Sequence, residues 1–176
     1  MIDYLYKKPQ ILFIGINPHP GSYDRGVPFS NNKMFWYLLS DAGIIKEKRN
    51  ELKDDNSLKL FYNTKFNKFY KLGLINIINR PTRDVSGLHI GEELLGRKKI
   101  YLIIKEQKPK VVCFIGKITY EKYSDLKDFT FGWQKNTVGE TKFYVMHFPL
   151  RGESIVRINE LKEIAQAANY SVSEET

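Results

Sequence analysis

The chain has 176 residues and 20.6 kDa, the length of a single domain, and is 42% hydrophobic, 14% aromatic and 27% charged, a composition that excludes disorder and fibrous repeats. One cysteine, Cys113, excludes a disulfide framework, a cysteine-rich zinc site and an iron–sulfur cluster held by this chain alone, and reads as a core residue of a protein in a reducing compartment. Twenty-eight Lys and Arg against twenty Asp and Glu leave a net charge of +8 and a pI near 9.4, a field that attracts nucleic acid or anionic lipid without identifying either. The opening residues carry no long apolar run, and no window reaches the roughly 18 apolar residues of a membrane span, so a cytoplasmic protein with no membrane partner is expected.

In chain order, residues 11–16 (ILFIGI) predict a first strand, short and rich in β-branched side chains. A connection dense in Gly, Pro, Asn and Ser follows, and then the spacing predicts a helix over 34–42, closed by Gly43. Residues 45–56 are charged and poor in apolar side chains, a solvated turn of helix or a flexible insertion. Residues 57–72 predict a helix closed by Gly73, on which Lys59, Lys65, Lys68 and Lys71 alternate with five aromatics. Either the lysines face phosphates, or, the favoured reading, the helix buries its aromatics and solvates its lysines. Strands at 74–78 (LINII), 111–115 (VVCFI) and 143–148 (FYVMHF) and helices at 91–107, 118–124 and about 156–168 complete the pattern.

Strands alternating with helices, with continuous rather than alternating apolar runs, define an α/β class: one three-layer domain with a mostly parallel sheet of four to five strands. Ligands of such sheets bind beyond the carboxyl ends of the strands, which points to the loops after Ile16, Ile78, Ile115 and Phe148. The first of these contains neither Gly-x-Gly-x-x-Gly nor a P-loop, so no nucleotide cofactor is expected. His19, His89 and His147 lack metal-ligand spacing, and no metal is expected either. Asn76 stands out as an amide inside an apolar run, where it costs free energy unless partnered. An amide at a strand end can donate and accept at once.

GINPHPG followed by GVPFSNNKMFW resembles the first motif of the uracil-DNA glycosylase superfamily, closest to its mismatch-specific uracil/thymine branch. LGLINIINRPTRDVSGL, ELLGRKKIYLIIKEQKPKVVCFIGKITYEKY and FYVMHFPLRGESIVRINELKEI are similar to its later blocks in order, so the resemblance covers most of residues 11–165. It implies a monomeric, cofactor-free enzyme that flips uracil or a related deaminated base out of DNA and hydrolyses its N-glycosidic bond, with uracil-containing or mismatched DNA as partner.

Carried over residue by residue, the resemblance makes Asn17 the amide that orients the attacking water; being neutral it cannot take the proton, so catalysis leans on stabilising the leaving base. Ile16, His19, Phe29 and Asn76 fall on base-binding positions, with Phe29 the stacking ring and His19 at the position that gates against the thymine methyl. His147 falls on the donor to uracil O2. Ser30, Arg80, Arg151, Gly152 and Ser154 fall on DNA contacts, Arg151 at the position of an apolar wedge. The second motif departs from the pattern His/Asn-Pro-Ser-x-x-Ser, with Phe148 for the proline and Pro149 for the serine. A non-catalytic nucleic-acid module of the same fold, and a glycosylase for hypoxanthine, remain the competing readings.

Overall fold

The structure is a computed structural model that describes residues 1–150 and 152–172. Five strands form one sheet in the order β2-β1-β3-β5-β4. β1 (Ile11–Gly15) is its centre, pairing in parallel with β2 (Leu72–Asn76) through Ile11 to Leu72 and with β3 (Val111–Ile115) through Ile11 to Val111. β5 (Lys142–Met146) runs parallel to β3, and β4 (Gly132–Trp133) is an antiparallel edge on β5.

The period of two along each strand divides the core into two layers. Ile11 and Phe13 of β1 pack with Trp36 and Leu38 of α2 (Met34–Asp41) and Leu161 of α7 (Ser154–Ala167). Leu12 and Ile14 pack on the other face with Ile100 and Ile104 of α5 (Leu94–Gln107) and Tyr120 of α6 (Lys117–Ser124). The burial of all five residues of β1, β2 and β3 explains why their sequences read as unbroken apolar runs.

Several elements depart from the sequence reading. The first connection contains a helix, α1 (Pro20–Arg25), which His19 caps by accepting the Gly21 N–H at its Nδ1, 3.0 Å away, with Pro20 in the first turn. The charged stretch holds α3 (Arg49–Lys53), anchored by Leu52, fully buried as are its neighbours Ile44 and Ile45.

The single helix expected over 57–72 is broken. Asp54 caps α4 (Asp55–Phe61) through the Ser57 N–H, a π-turn (Tyr62–Phe66) follows, and Lys71 at φ 55° turns the chain into β2. Tyr62 and Phe66, at the two ends of the π-turn, both lie against Trp36, at centroid distances of 6.0 and 5.3 Å. β2 therefore starts at Leu72, and Gly73 lies inside it as a point of close packing, where a Cβ would stand 3.0 Å from Pro9. Likewise α5 begins at Leu94 rather than residue 91, and β5 ends at Met146, which leaves His147 and Phe148 in the following loop.

Candidate active site

At the carboxyl ends of β1 and β2 lies a cleft of about 320 Å³, the size of a small-ligand site. Its floor is the β1 exit, where the Ile77 and Ile78 N–H groups donate to the carbonyls of Gly15 and Ile16 and the Thr82 N–H to that of Pro18. Those three bonds hold the loops after β1 and β2 together, so the residues on them share one wall.

Asn17 is fixed by that wall. Its Nδ2 donates to the Arg80 carbonyl at 2.9 Å and to the Thr82 hydroxyl at 2.8 Å, while that hydroxyl donates onward to the Asp84 carbonyl at 2.7 Å. A carbonyl only accepts, so the nitrogen must be the atom at Arg80, and Oδ1 is the edge left for the cleft. Asn17 thus presents an acceptor, fit to orient a water's hydrogens but not to remove one.

Asn76, 5% exposed, is the second amide. Its Nδ2 donates to the Tyr4 hydroxyl at 3.0 Å, while its Oδ1 is buried without a partner. An orphaned buried acceptor costs about 1–3 kcal/mol and marks a place prepared for a donor. Gly15, its cross-strand neighbour, makes room for it: a Cβ there would stand 2.3 Å from Oδ1 and 3.2 Å from Cζ of Phe29. Burial pushes the Tyr4 hydroxyl above its ordinary range, so it stays protonated.

Phe29 forms the aromatic wall. Its backbone is left-handed at φ 55°, a conformation that costs a non-glycine residue about 1 kcal/mol or more, and its surroundings impose it. Trp36 Nε1 donates to the Pro28 carbonyl at 2.9 Å, the Ser30 N–H to Ser22 Oγ at 3.2 Å and the Ser30 hydroxyl to the Val27 carbonyl at 2.7 Å, while the Phe29 ring rests 4.9 Å from that of Phe35. Ser30 is accordingly buried and its hydroxyl spent, a staple of the loop rather than a group facing DNA. Ile16 and His19 complete this side of the cleft, His19 serving at once as wall and as cap of α1.

The second-motif loop closes the other side. Phe148, Pro149 and Leu150 line the cleft, with Leu150 56% exposed. Arg151 lies outside the described residues, and Gly152 and Ser154 are exposed beyond it, Gly152 at φ 87° and Ser154 opening α7. The loop is held from below by Arg157, a buried guanidinium that donates from Nε to the Phe148 carbonyl at 2.7 Å and from Nη1 to the Glu153 carbonyl at 3.2 Å.

His147 is not among the residues of the cleft wall. Glu160 of α7, itself buried, accepts the His147 backbone N–H at one oxygen and faces Nδ1 with the other, both at 3.0 Å. The imidazole also stacks on Phe131 with centroids 3.5 Å apart.

Arg80 is likewise committed internally. Its guanidinium forms a fork on Glu92 at 2.6 and 2.9 Å and reaches the Gly87 carbonyl at 2.7 Å, so it clamps its own loop rather than standing free for phosphates. Arg80 first and the His89 N–H second draw the Glu92 carboxyl down to about 2. Arg83 instead stands exposed at the cleft wall with no acid partner among the described residues. Asp84 is the one carboxylate on that wall among the described residues, and the Ser86 hydroxyl and N–H hold it below its usual range.

Sequence reasoning missed Thr82, Arg83, Leu150 and Arg157. Thr82 was within reach, as a hydroxyl in the Asn-Arg-Pro-Thr run after a strand; the hold of Arg157 on the Phe148 carbonyl depends on how the loop folds back over α7. Among the described residues, no three His, Cys, Asp or Glu side chains are gathered as a metal ion needs.

The cleft of this α/β/α sandwich sets the amides of Asn17, Asn31, Asn32 and Asn76 beside the rings of Phe29 and Phe148, groups that can hydrogen-bond and stack a flat heterocycle. The chain belongs to the Uracil DNA glycosylase superfamily, whose sequence model matches residues 2–162. It is thereby a DNA glycosylase, a hydrolase of DNA repair that acts on damaged bases in DNA.

Proposed function

We propose that this enzyme excises uracil from DNA ahead of thymine, as a monofunctional glycosylase of the mismatch-specific kind, working as a monomer. The orphaned Oδ1 of Asn76 carries the reading: it supplies the acceptor that the N3–H of a flipped uracil requires, while the free N–H of Nδ2 serves O4. Phe29 stacks on the base, a contact worth about 1–3 kcal/mol. Asn17, its amide tied to Arg80 and Thr82, aims Oδ1 at the water that attacks the sugar carbon.

His147 is proposed as the partner of uracil O2. Glu160, 3.0 Å from Nδ1, holds the ring in place from the side of α7. Extruding a base leaves a gap in the stack, and the exposed Leu150 at the cleft's edge is proposed to fill it.

Hypoxanthine presents the same N–H beside C=O edge, so Asn76 favours it as the second substrate. The test is incubation with duplexes carrying U·G, T·G or hypoxanthine·T pairs, followed by alkaline cleavage of the abasic product. Uracil is expected to be cut fastest. Faster cutting of hypoxanthine would move the assignment to that base, and no cutting of any substrate would leave only a binding module.

A further inference from the structure

The edge of the sheet opposite the cleft carries a row of lysines with no place in the excision chemistry. The starts of the strands are laddered there: the Gln10 N–H donates to the Lys71 carbonyl at 2.7 Å, the Lys110 N–H to Gln10 at 3.0 Å and the Lys142 N–H to Lys110 at 3.1 Å. Lys71, Lys110 and Lys142 therefore stand at the starts of β2, β3 and β5, and at about 4.8 Å between neighbouring strands the row spans about 14 Å. Lys105 and Lys108, at the end of α5, join Lys110 and Lys142 around a hollow of about 640 Å³. Glu140 is the one carboxylate that lines it, among the described residues.

All five of these lysines are exposed, and none has an acid partner within ion-pair distance among the described residues. Elsewhere on this chain cations do find acids, as Lys33 finds Asp55, Arg49 finds Asp41 and Arg80 finds Glu92. The amino ends of the strands thus hold unneutralised charge. Five-residue strands put this edge about 17 Å from the cleft, roughly two Debye lengths at physiological salt, so its field adds little at the cleft.

We propose that this edge is a second DNA-binding surface, which takes the phosphate backbone of another duplex segment without reading sequence while the cleft holds its damaged base. Exposed lysines placed in a row along the strand starts suit a polymer that offers a phosphate about every 3.4 Å along each strand, and DNA is the polyanion this enzyme meets while it works. Such a surface lets the enzyme step between neighbouring segments or bridge them.

The test is a Lys108→Glu/Lys110→Glu/Lys142→Glu variant of the full chain. It is assayed for affinity to an undamaged duplex across a salt series and for single-turnover excision at saturating enzyme. We expect the affinity to fall at least tenfold and the slope of log K against log salt to flatten by about two to three, near 0.9 per lost phosphate contact, with excision unchanged. An unchanged affinity and slope would overturn the proposal, as would a parallel loss of excision. If thermal melting shows the Glu variant unfolded, the corresponding Gln variant is read in its place against the same outcomes. Competition by polyglutamate as strong as by duplex of equal charge would also overturn it, in favour of an acidic protein partner.

Discussion

Thr82→Val removes one hydroxyl and little volume, yet that hydroxyl is the joint between Asn17, the amide proposed to orient the water, and the cleft wall. It accepts from Asn17 Nδ2 at 2.8 Å and donates to the Asp84 carbonyl at 2.7 Å. Two hydrogen bonds at about 1 kcal/mol each place the stability loss near 2 kcal/mol. Asn17 keeps its bond to the Arg80 carbonyl at 2.9 Å, so the amide still points the right way but swings about one anchor instead of two. Excision should slow by about 10-fold, against about 10²-fold or more for Asn17→Ala, which removes the acceptor altogether. Because both changes act on one water, adding Thr82→Val to Asn17→Ala should cost little more. The assay is single-turnover release of the base, with affinity for undamaged duplex as the control for DNA binding. A Thr82→Val enzyme at wild-type rate, or a double variant whose losses multiply in full, would refute the reasoning.

His19→Gly should open the cleft wall to the thymine methyl, raising excision from T·G relative to U·G by about 5- to 150-fold, the equivalent of an overpacking penalty of about 1–3 kcal/mol, while loss of the α1 cap to glycine costs only about a few tenths of a kcal/mol in thermal denaturation; equal wild-type rates on both pairs would remove the gate. Gly15→Ala drives a Cβ to 2.3 Å from Asn76 Oδ1, so the amide must shift, and excision should fall at least tenfold with a measurable drop in Tm; unchanged kinetics would detach Asn76 from base recognition. Glu92 is drawn from 4.5 down to about 2 in the folded protein, so its clamp on Arg80 contributes above pH 4.5 and is lost as pH falls through about 2. Amide-exchange protection over residues 80–92 should follow that course, and protection lost already above pH 4.5 would contradict it.

The parts of the fold that rest on local pattern were legible in the residues. Continuous apolar runs gave β1 and β3, because strands covered on both faces have no polar side to show. The π-turn at Tyr62–Phe66 was hidden because Trp36, far away in the chain, decides how those aromatics point. In the site, Asn17 and Asn76 were legible, since an amide in a Gly-Pro loop and an amide in an apolar strand each demand a reason. The internal partners of Ser30, Arg80 and His147 were not: Val27, Glu92 and Glu160 are brought to them by how loops and α7 come together, which residue type alone does not show. Leu150 carries no signal in its residue type; its exposure at the cleft comes from where the loop after β5 is placed.

The central claim is that this cleft hydrolyses the glycosidic bond of a flipped uracil with Asn17 holding the water. Mass spectrometry of the products from a U·G duplex, for wild type and Asn17→Ala under single turnover, tests it most directly. The account predicts free uracil and an intact strand bearing one abasic site, formed about 10²-fold or more slowly by the variant. Absence of free uracil with the wild-type enzyme, or equal release by the two proteins, would contradict it.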